Sequence, residues 1–244
     1  MLVDELRGIY YILLKDLKAY YFKPPNISWG ILFPLVLALA FSLRNPNGLA
    51  ELAPGLIAMA AVFGTTSMEA IVITFERRTG ALERLLLAPI SIKSILMGKI
   101  LGGTVFGFMI TGVMTLISVL FFNMKIQSSL WFSLIIALTL LTLSSLGALV
   151  AVSVKEVFEA QTLSNYFRFP MIFLCGVFIP VSSMPQPLQV VAYLLPLTYS
   201  VEALRSITLG TSSVLNMLMY TMILGLYFLA FSFISNWLMK RSLR

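Results

Sequence analysis

What most constrains this chain is the spacing of its charges. Six stretches between charged residues are nearly empty of charge: 24–43 holds 20 residues, 52–75 holds 24 with only Glu69 inside, 100–124 holds 25, 126–154 holds 29, 169–201 holds 33 and 206–239 holds 34. A helix of about 20 apolar residues crosses the roughly 30 Å hydrocarbon core of a bilayer. The six runs therefore predict six transmembrane crossings in an all-α integral membrane protein, a single transmembrane domain over 1–244. Composition agrees. With 59% hydrophobic and 11% charged residues, the chain has too little polar surface to cover a water-soluble globule of its size, which excludes a cytosolic enzyme or soluble binding module.

The last two runs are too long for single straight spans. A helix of 33 residues would measure roughly 50 Å, and 169–201 also holds five of the eleven prolines: Pro170, Pro180, Pro185, Pro187 and Pro196. Each removes a helical donor and clashes with the preceding turn. The reading is a fifth span over 169–182, broken re-entrant pieces over 183–200, a lead-in over 203–213 and a sixth span over 214–239. Non-helical backbone at membrane depth has to be buried against protein or water.

Orientation follows from the basic residues. With both ends inside, inner segments 1–23, 76–99, 155–168 and 240–244 carry 14 Lys or Arg, and the outer ones carry 3, namely Arg44, Lys125 and Arg205. By the positive-inside rule both termini are cytoplasmic in a cell-membrane, multi-pass protein. Ala38-Leu39-Ala40 resembles a signal cleavage site, but the basic segment before the first span is long for a signal and the span is full length.

Soluble chemistry finds few footholds. There is no histidine, so the commonest general base and metal ligand are missing. Cys175 is the lone cysteine and leaves the redox compartment open. The only Gly-Lys pair, Gly98-Lys99, has Lys93 where a phosphate loop needs glycine. No catalytic or metal-binding set can be assembled, so an intramembrane enzyme is disfavoured and any use of ATP belongs on another chain. The net charge of +7 sorts by membrane side, with no sign of nucleic acid as a partner.

Two cytoplasmic features stand out. Within 1–23, Leu6, Ile9, Tyr10, Leu13, Leu17, Tyr20 and Tyr21 recur at three- and four-residue intervals, with Asp4, Arg7, Lys15 and Lys18 opposite. This predicts an amphipathic helix lying in the membrane interface, either as a simple elbow or in contact with a cytoplasmic partner. The second feature is 76–99, the densest charged segment. Glu76, Arg77 and Arg78 open it, Gly80 follows, a short helix is expected over 81–87 and stops before Pro89, and Ser91 can cap the next helix. The segment is either a docking element or only a topology signal.

The segment carried by Glu76, Gly80, Leu82, Glu83, Leu85, Leu86 and Pro89 resembles the loop motif of the type-2 ATP-binding-cassette (ABC) exporter permeases, in their drug- and antibiotic-resistance-like branch. The segment 176–205 is similar to the same family's C-terminal signature, through Gly176, Pro180, Met184-Pro185, Pro196-Leu197-Thr198-Tyr199 and Glu202-Ala203-Leu204-Arg205; Pro54-Gly55 also fits. The resemblance implies a permease that works as a dimer, with a second copy or a related chain, and the apolar spans favour a lipophilic substrate such as a drug or lipid. The resemblance implies no cofactor on this chain, with ATP and magnesium on a separate ATPase. Its 76–99 loop would be the coupling element, involving Glu76, Arg77, Arg78, Gly80, Glu83, Arg84 and Pro89. Pro180, Met184, Pro185, Pro196, Tyr199, Glu202 and Arg205 would belong to the re-entrant outer gate. A stand-alone secondary transporter or channel is the alternative.

Within the membrane, Glu69 is costly as an ion. It is either a polar element of the translocation path or a partner of Arg77 or Arg78. Glu202 and Arg205 stand at helical i,i+3 spacing, which allows them to pair in a structural role. Small-residue stripes at Gly98/Gly102, Gly103/Gly107, Ser144/Ala148 and Gly147/Ala151 predict close helix packing within the protomer, or a dimer seam. Trp29, Trp131 and Trp237 fall near span ends as interfacial anchors.

Overall fold

In hydrocarbon a chain must satisfy its backbone donors within its own helices, and the computed structural model of this protein contains no strand among the described residues, 2–44 and 48–242. Of the positions that carry sequence expectations, the side chains of Trp29 and Arg44, residues 45–47 and Arg244 lie outside that description. Helix α1 (Leu2–Asp16) runs into one π-helical turn, Leu17–Tyr21. Then come α2 (Pro24–Arg44), α3 (Leu49–Arg78), the short α4 (Ala81–Leu86), α5 (Ile92–Phe121), α6 (Ser129–Ser153), α7 (Val157–Leu174), α8 (Gln186–Tyr193), α9 (Pro196–Leu209) and α10 (Val214–Ser242).

Five of these, α2, α3, α5, α6 and α10, are long and apolar enough to cross a membrane. The sixth crossing is where the structure departs from expectation. The helix there is α7, of 18 residues, which starts at Val157 and carries Glu159 and Arg168. It starts well before residue 169 because Glu156 and Glu159 form a reciprocal capping box. The Glu159 carboxylate accepts from the Lys155 and Glu156 amides at 3.1 and 3.2 Å. The helix stops at Leu174, short of residue 182, because Gly176 turns the chain with φ +82°. Arg168, assigned above to an inner loop, thus lies eleven residues up a helix.

The prolines that forbid one long helix also start the short ones. Pro187 sits in the first turn of α8 and Pro196 in that of α9, where a missing N–H costs nothing. The segment 203–209, expected as a lead-in, is the second half of α9, which ends at the left-handed Gly210 (φ +73°). Helix α3 is the hub, packing on α2, α5, α6, α7 and α9, and α6 joins it to α10. Close approach uses the small-residue stripes within one chain. A Cβ at Gly107 would lie 2.5 Å from Thr65 Cγ2, and one at Gly147 would lie 2.5 Å from the Thr66 carbonyl oxygen.

Candidate coupling interface and its buried ion cluster

Gly80, at φ +72°, reverses the chain after α3 and starts α4. Leu82 turns inward and joins a core cluster with Ile12, Ile73 and Ile95. Glu83, Arg84, Leu87 and Pro89 face outward, as does Arg78, and Leu87 is 87% exposed. An exposed leucine ringed by charges is a small surface of the kind a partner covers. The loop is tied down at both flanks. Arg77 donates to the Val154 carbonyl at the end of α6, at 2.9 Å. The Ser91 amide and hydroxyl both donate to the Glu5 carboxylate of α1, at 3.0 Å, and Ser91 caps α5 by accepting from the Ser94 amide at 3.2 Å.

Behind this surface lies a cluster that joins three elements. Lys99 of α5 is 1% exposed and pairs with Asp16 at 3.0 Å and with Glu76 of α3 at 2.5 Å. Lys15 pairs with Asp16 at 3.0 Å and also with Glu76. Two cations and two carboxylates alternate, so the buried charge sums to zero, the condition for tolerating ions out of water. Burial pushes the Asp16 carboxyl above its ordinary range, with Lys99 opposing the shift. Glu76, expected at the opening of the coupling loop, is therefore wholly buried in the last turns of α3, and the exposed surface begins after it.

About two turns back along α3 from Glu76, the Tyr21 hydroxyl donates to Glu69 Oε2. Burial, then the Glu69 charge, raise Tyr21 well above the ordinary phenol value, so it stays a proton donor. Its ring stacks on Phe106 at 5.1 Å. Neither Arg77 nor Arg78 partners Glu69, which sits fully buried between α3, α5 and α6. Glycine makes room for it: a Cβ at Gly103 would lie 2.5 Å from Glu69 Oε2, and one at Gly147 would lie 2.8 Å from the Glu69 Cβ.

Helix α1 is accordingly more than an interfacial elbow. Ile12, Asp16, Leu17 and Tyr21 are buried against protein, mainly α5, while Val3, Leu6, Tyr10 and Tyr11 form the exposed apolar side. The expected polar-face lysine, Lys15, reaches into the ion cluster. Sequence reasoning missed Asp16, Lys99 and Tyr21 as a set. One signal was present: Asp16 lies four residues after Ile12 and one before Leu17, on the side of the helix that should be apolar.

A model of the ABC-2 type transporter family matches residues 7–209, which takes in the cluster, the loop, α8 and α9. The chain belongs to the ABC-2 type transporter family. Among the relatives of this ABC-2 protein, "Inner membrane transport permease YadH" of Escherichia coli is 27% identical over 164 residues, covering 66% of this chain and 63% of that one. "Probable multidrug ABC transporter permease YbhS" of the same bacterium is 26% identical over 170 residues, 68% of this chain and 45% of its own length. "ABC transporter G family member 20" of Dictyostelium discoideum is 27% identical over 168 residues, only 23% of that protein. The chain thus spans less than two-thirds of the length of these relatives.

At the other end of this ABC-2 protein, the expected outer-gate residues fall on the α7–α9 segment. Pro180 and Pro185 are exposed, Met184 and Tyr199 half-buried, and Pro196 buried. The Tyr199 hydroxyl donates to the Tyr193 carbonyl at 2.7 Å, and Tyr193 donates to Glu202 at 3.2 Å. The Glu202–Arg205 pair that the spacing allows does not form. Arg205 instead donates to the Gly176 carbonyl at 2.6 Å, pinning the turn that ends α7. Pro180 and Arg205 line a cavity of about 710 Å³ together with Phe41, Glu51 and Phe178.

Proposed function

We propose that the chain is the transmembrane permease subunit of an ATP-driven ABC exporter, dimeric in its working form and seated on a separate ATPase. One observation carries this reading: the exposed Glu83–Arg84–Leu87–Pro89 surface is tied through Arg77, Glu5 and the buried ion cluster to α1, α3, α5 and α6 at once. A push on α4 would therefore move four elements together, as coupling ATP-driven closure to a switch between inward- and outward-open states requires. ATP and magnesium would bind the partner. Segment 183–200 would re-enter the outer leaflet and close the pathway, with both termini cytoplasmic in the cell membrane. The apolar spans support a lipophilic drug or lipid as substrate, in line with the multidrug name of one relative. A stand-alone secondary transporter or channel is not favoured, since the broken segment 183–201 holds no carboxylate to bind a coupling ion.

The test is purification of the tagged full chain from its own membranes. An ATPase that hydrolyses ATP and co-purifies with the chain, and is lost on charge reversal at Glu83 and Arg84, is expected. Transport by the chain alone in liposomes, with no ATPase, would overturn the reading.

A further inference from the structure

Helix α7 carries a polar stripe with buried atoms that find no partner among the described residues. Gln161, Ser164 and Arg168 recur at i, i+3 and i+7, on one face of the helix. Gln161 Oε1, Ser164 Oγ and Arg168 Nε are all buried without a hydrogen-bond partner. Across the seam on α3, Ser67 Oγ is likewise buried and unpartnered. The two helices run antiparallel. Ala160 clusters with Ala70 at the inner end, and the Arg168 guanidinium lies 4.3 Å over the Phe63 ring further out. Ser67 and Ser164 therefore stand at the same level, between these contacts.

Depth makes this unusual. Arg168 lies eleven residues above the start of α7, about 16 Å, and Phe63 lies fifteen residues above the end of α3, about 22 Å. Both distances put the guanidinium several turns from the charged inner ends of α7 and α3. Arg168 is 7% exposed, and no carboxylate among the described residues pairs with it. Cation–π contact with Phe63 offsets only part of the cost of burying a charge. Water could serve the two serines and the glutamine but would leave the charge uncompensated. An anion with oxygen acceptors would take the Ser164 and Ser67 hydroxyls and the Arg168 Nε–H, while Gln161 Oε1, itself an acceptor, is left to water.

We propose that the α3–α7 seam is a binding site for the anionic headgroup of an amphiphile, a phosphate or carboxylate on an apolar tail, with Arg168 as its cation and the Ser164 and Ser67 hydroxyls as its hydrogen-bond donors. Phe63 holds the guanidinium in place while the site is empty. The exposed Phe169 and Phe173, on the same helix, offer apolar surface for the tail. The inference needs only the membrane placement of α7, and binding by the isolated chain tests it apart from ATPase coupling.

The experiment uses the purified full chain in neutral maltoside micelles, titrated with dodecyl phosphate while thermal unfolding is followed. A saturable rise in Tm is expected. Dodecyltrimethylammonium and inorganic phosphate should give none, the first for its sign and the second for want of a tail. Arg168→Gln should weaken dodecyl phosphate binding at least tenfold, Ser164→Ala by less, and Lys125→Gln, on a distant loop, not at all. Native mass spectrometry in phosphatidylglycerol nanodiscs separates the sources. Retention of that lipid by the wild type, and not by Arg168→Gln, marks a resident lipid headgroup; response to dodecyl phosphate alone marks a single-chain anion. Arg168→Met removes an uncompensated charge, so the unliganded variant should unfold at the same or a higher temperature. Equal binding by Arg168→Gln, an equal shift with the cationic amphiphile, loss of fold in Arg168→Met, or loss of dimer in Arg168→Met without any ligand effect would each overturn the proposal.

Discussion

Replacing Lys99 by methionine keeps most of the apolar stem and removes one charge from the ion cluster. In the intact protein, Lys15 and Lys99 balance Asp16 and Glu76; in Lys99→Met the remaining three groups sum to −1. Glu76 Oε2 loses a contact at 2.5 Å and Asp16 Oδ2 one at 3.0 Å, at positions where both carboxylates are fully buried. Removing one partner of a buried ion pair costs about 3–5 kcal/mol. Lys15 still faces both carboxylates, but its side chain is 38% exposed and partly hydrated. That points to the lower end, about 3 kcal/mol. A second substitution, Glu76→Gln, returns the cluster to neutrality, with Lys15 opposite Asp16. The double variant should then recover half of the loss or more, a coupling of about 1–3 kcal/mol for groups in one network. The assay is equilibrium unfolding of the purified protein in mixed dodecylmaltoside–dodecyl sulfate micelles. A cost below about 1 kcal/mol for Lys99→Met, or strict additivity in the double variant, would refute the cluster as the joint between α1, α3 and α5.

Charge reversal at Glu83 or Arg84 should abolish ATP-driven transport while leaving insertion and gel-filtration behaviour intact, because both side chains point away from the protein; normal transport in both variants would remove their coupling role. Gly103→Ala places a methyl 2.5 Å from Glu69 Oε2 and 2.6 Å from Ser144 Oγ and should destabilise by about 1–3 kcal/mol, whereas Gly112→Ala meets nothing within 4 Å and should be neutral in the same unfolding assay. The Ser94 hydroxyl, ahead of the Ser91 amide and hydroxyl, holds the Glu5 carboxyl below its ordinary 4.5. A carboxylate depressed in the folded state contributes stability above its unfolded value and loses it as pH falls through the folded one. Protection of the amides at residues 91–94, relative to their intrinsic exchange rates, should therefore fall as pH drops below 4.5 and be low at every pH in Glu5→Gln; protection that ignores pH in the wild type would contradict this. Cys175 is buried, so impermeant maleimides should spare the native chain and label cysteines introduced at 80 from inside and at 127 from outside.

How far residue order reached can be judged from particular elements. The ends of α2, α4, α5 and α10 were legible because charge, proline, a capping serine and the length of apolar runs act locally. Helix α7 was misplaced because charge spacing treats Arg168 as a loop residue. Whether a lone arginine sits in water or in the bilayer depends on the Phe63 ring that a different helix brings to it. Glu69 was recognised as costly, yet its partner Tyr21 lies 48 positions away. The Glu202–Arg205 spacing permitted a pair, but the Gly176 carbonyl, 29 positions before Arg205, takes the arginine.

By itself, then, the sequence determined the solvent, the all-helical class, the prolines that break the fifth run and the exposed motif after α3. These follow from local rules: hydrocarbon forbids unpaired backbone, and proline and glycine act where they stand. Only the tertiary structure decided which charges are shared. Asp16, Glu76 and Lys99 are separated by 60 and 23 positions in the chain, and nothing short of the packing of α1 and α3 on α5 says that they meet. Burial is a property of that packing, and burial is what turns four ordinary charges into the joint behind α4 and leaves Arg168 in want of an anion.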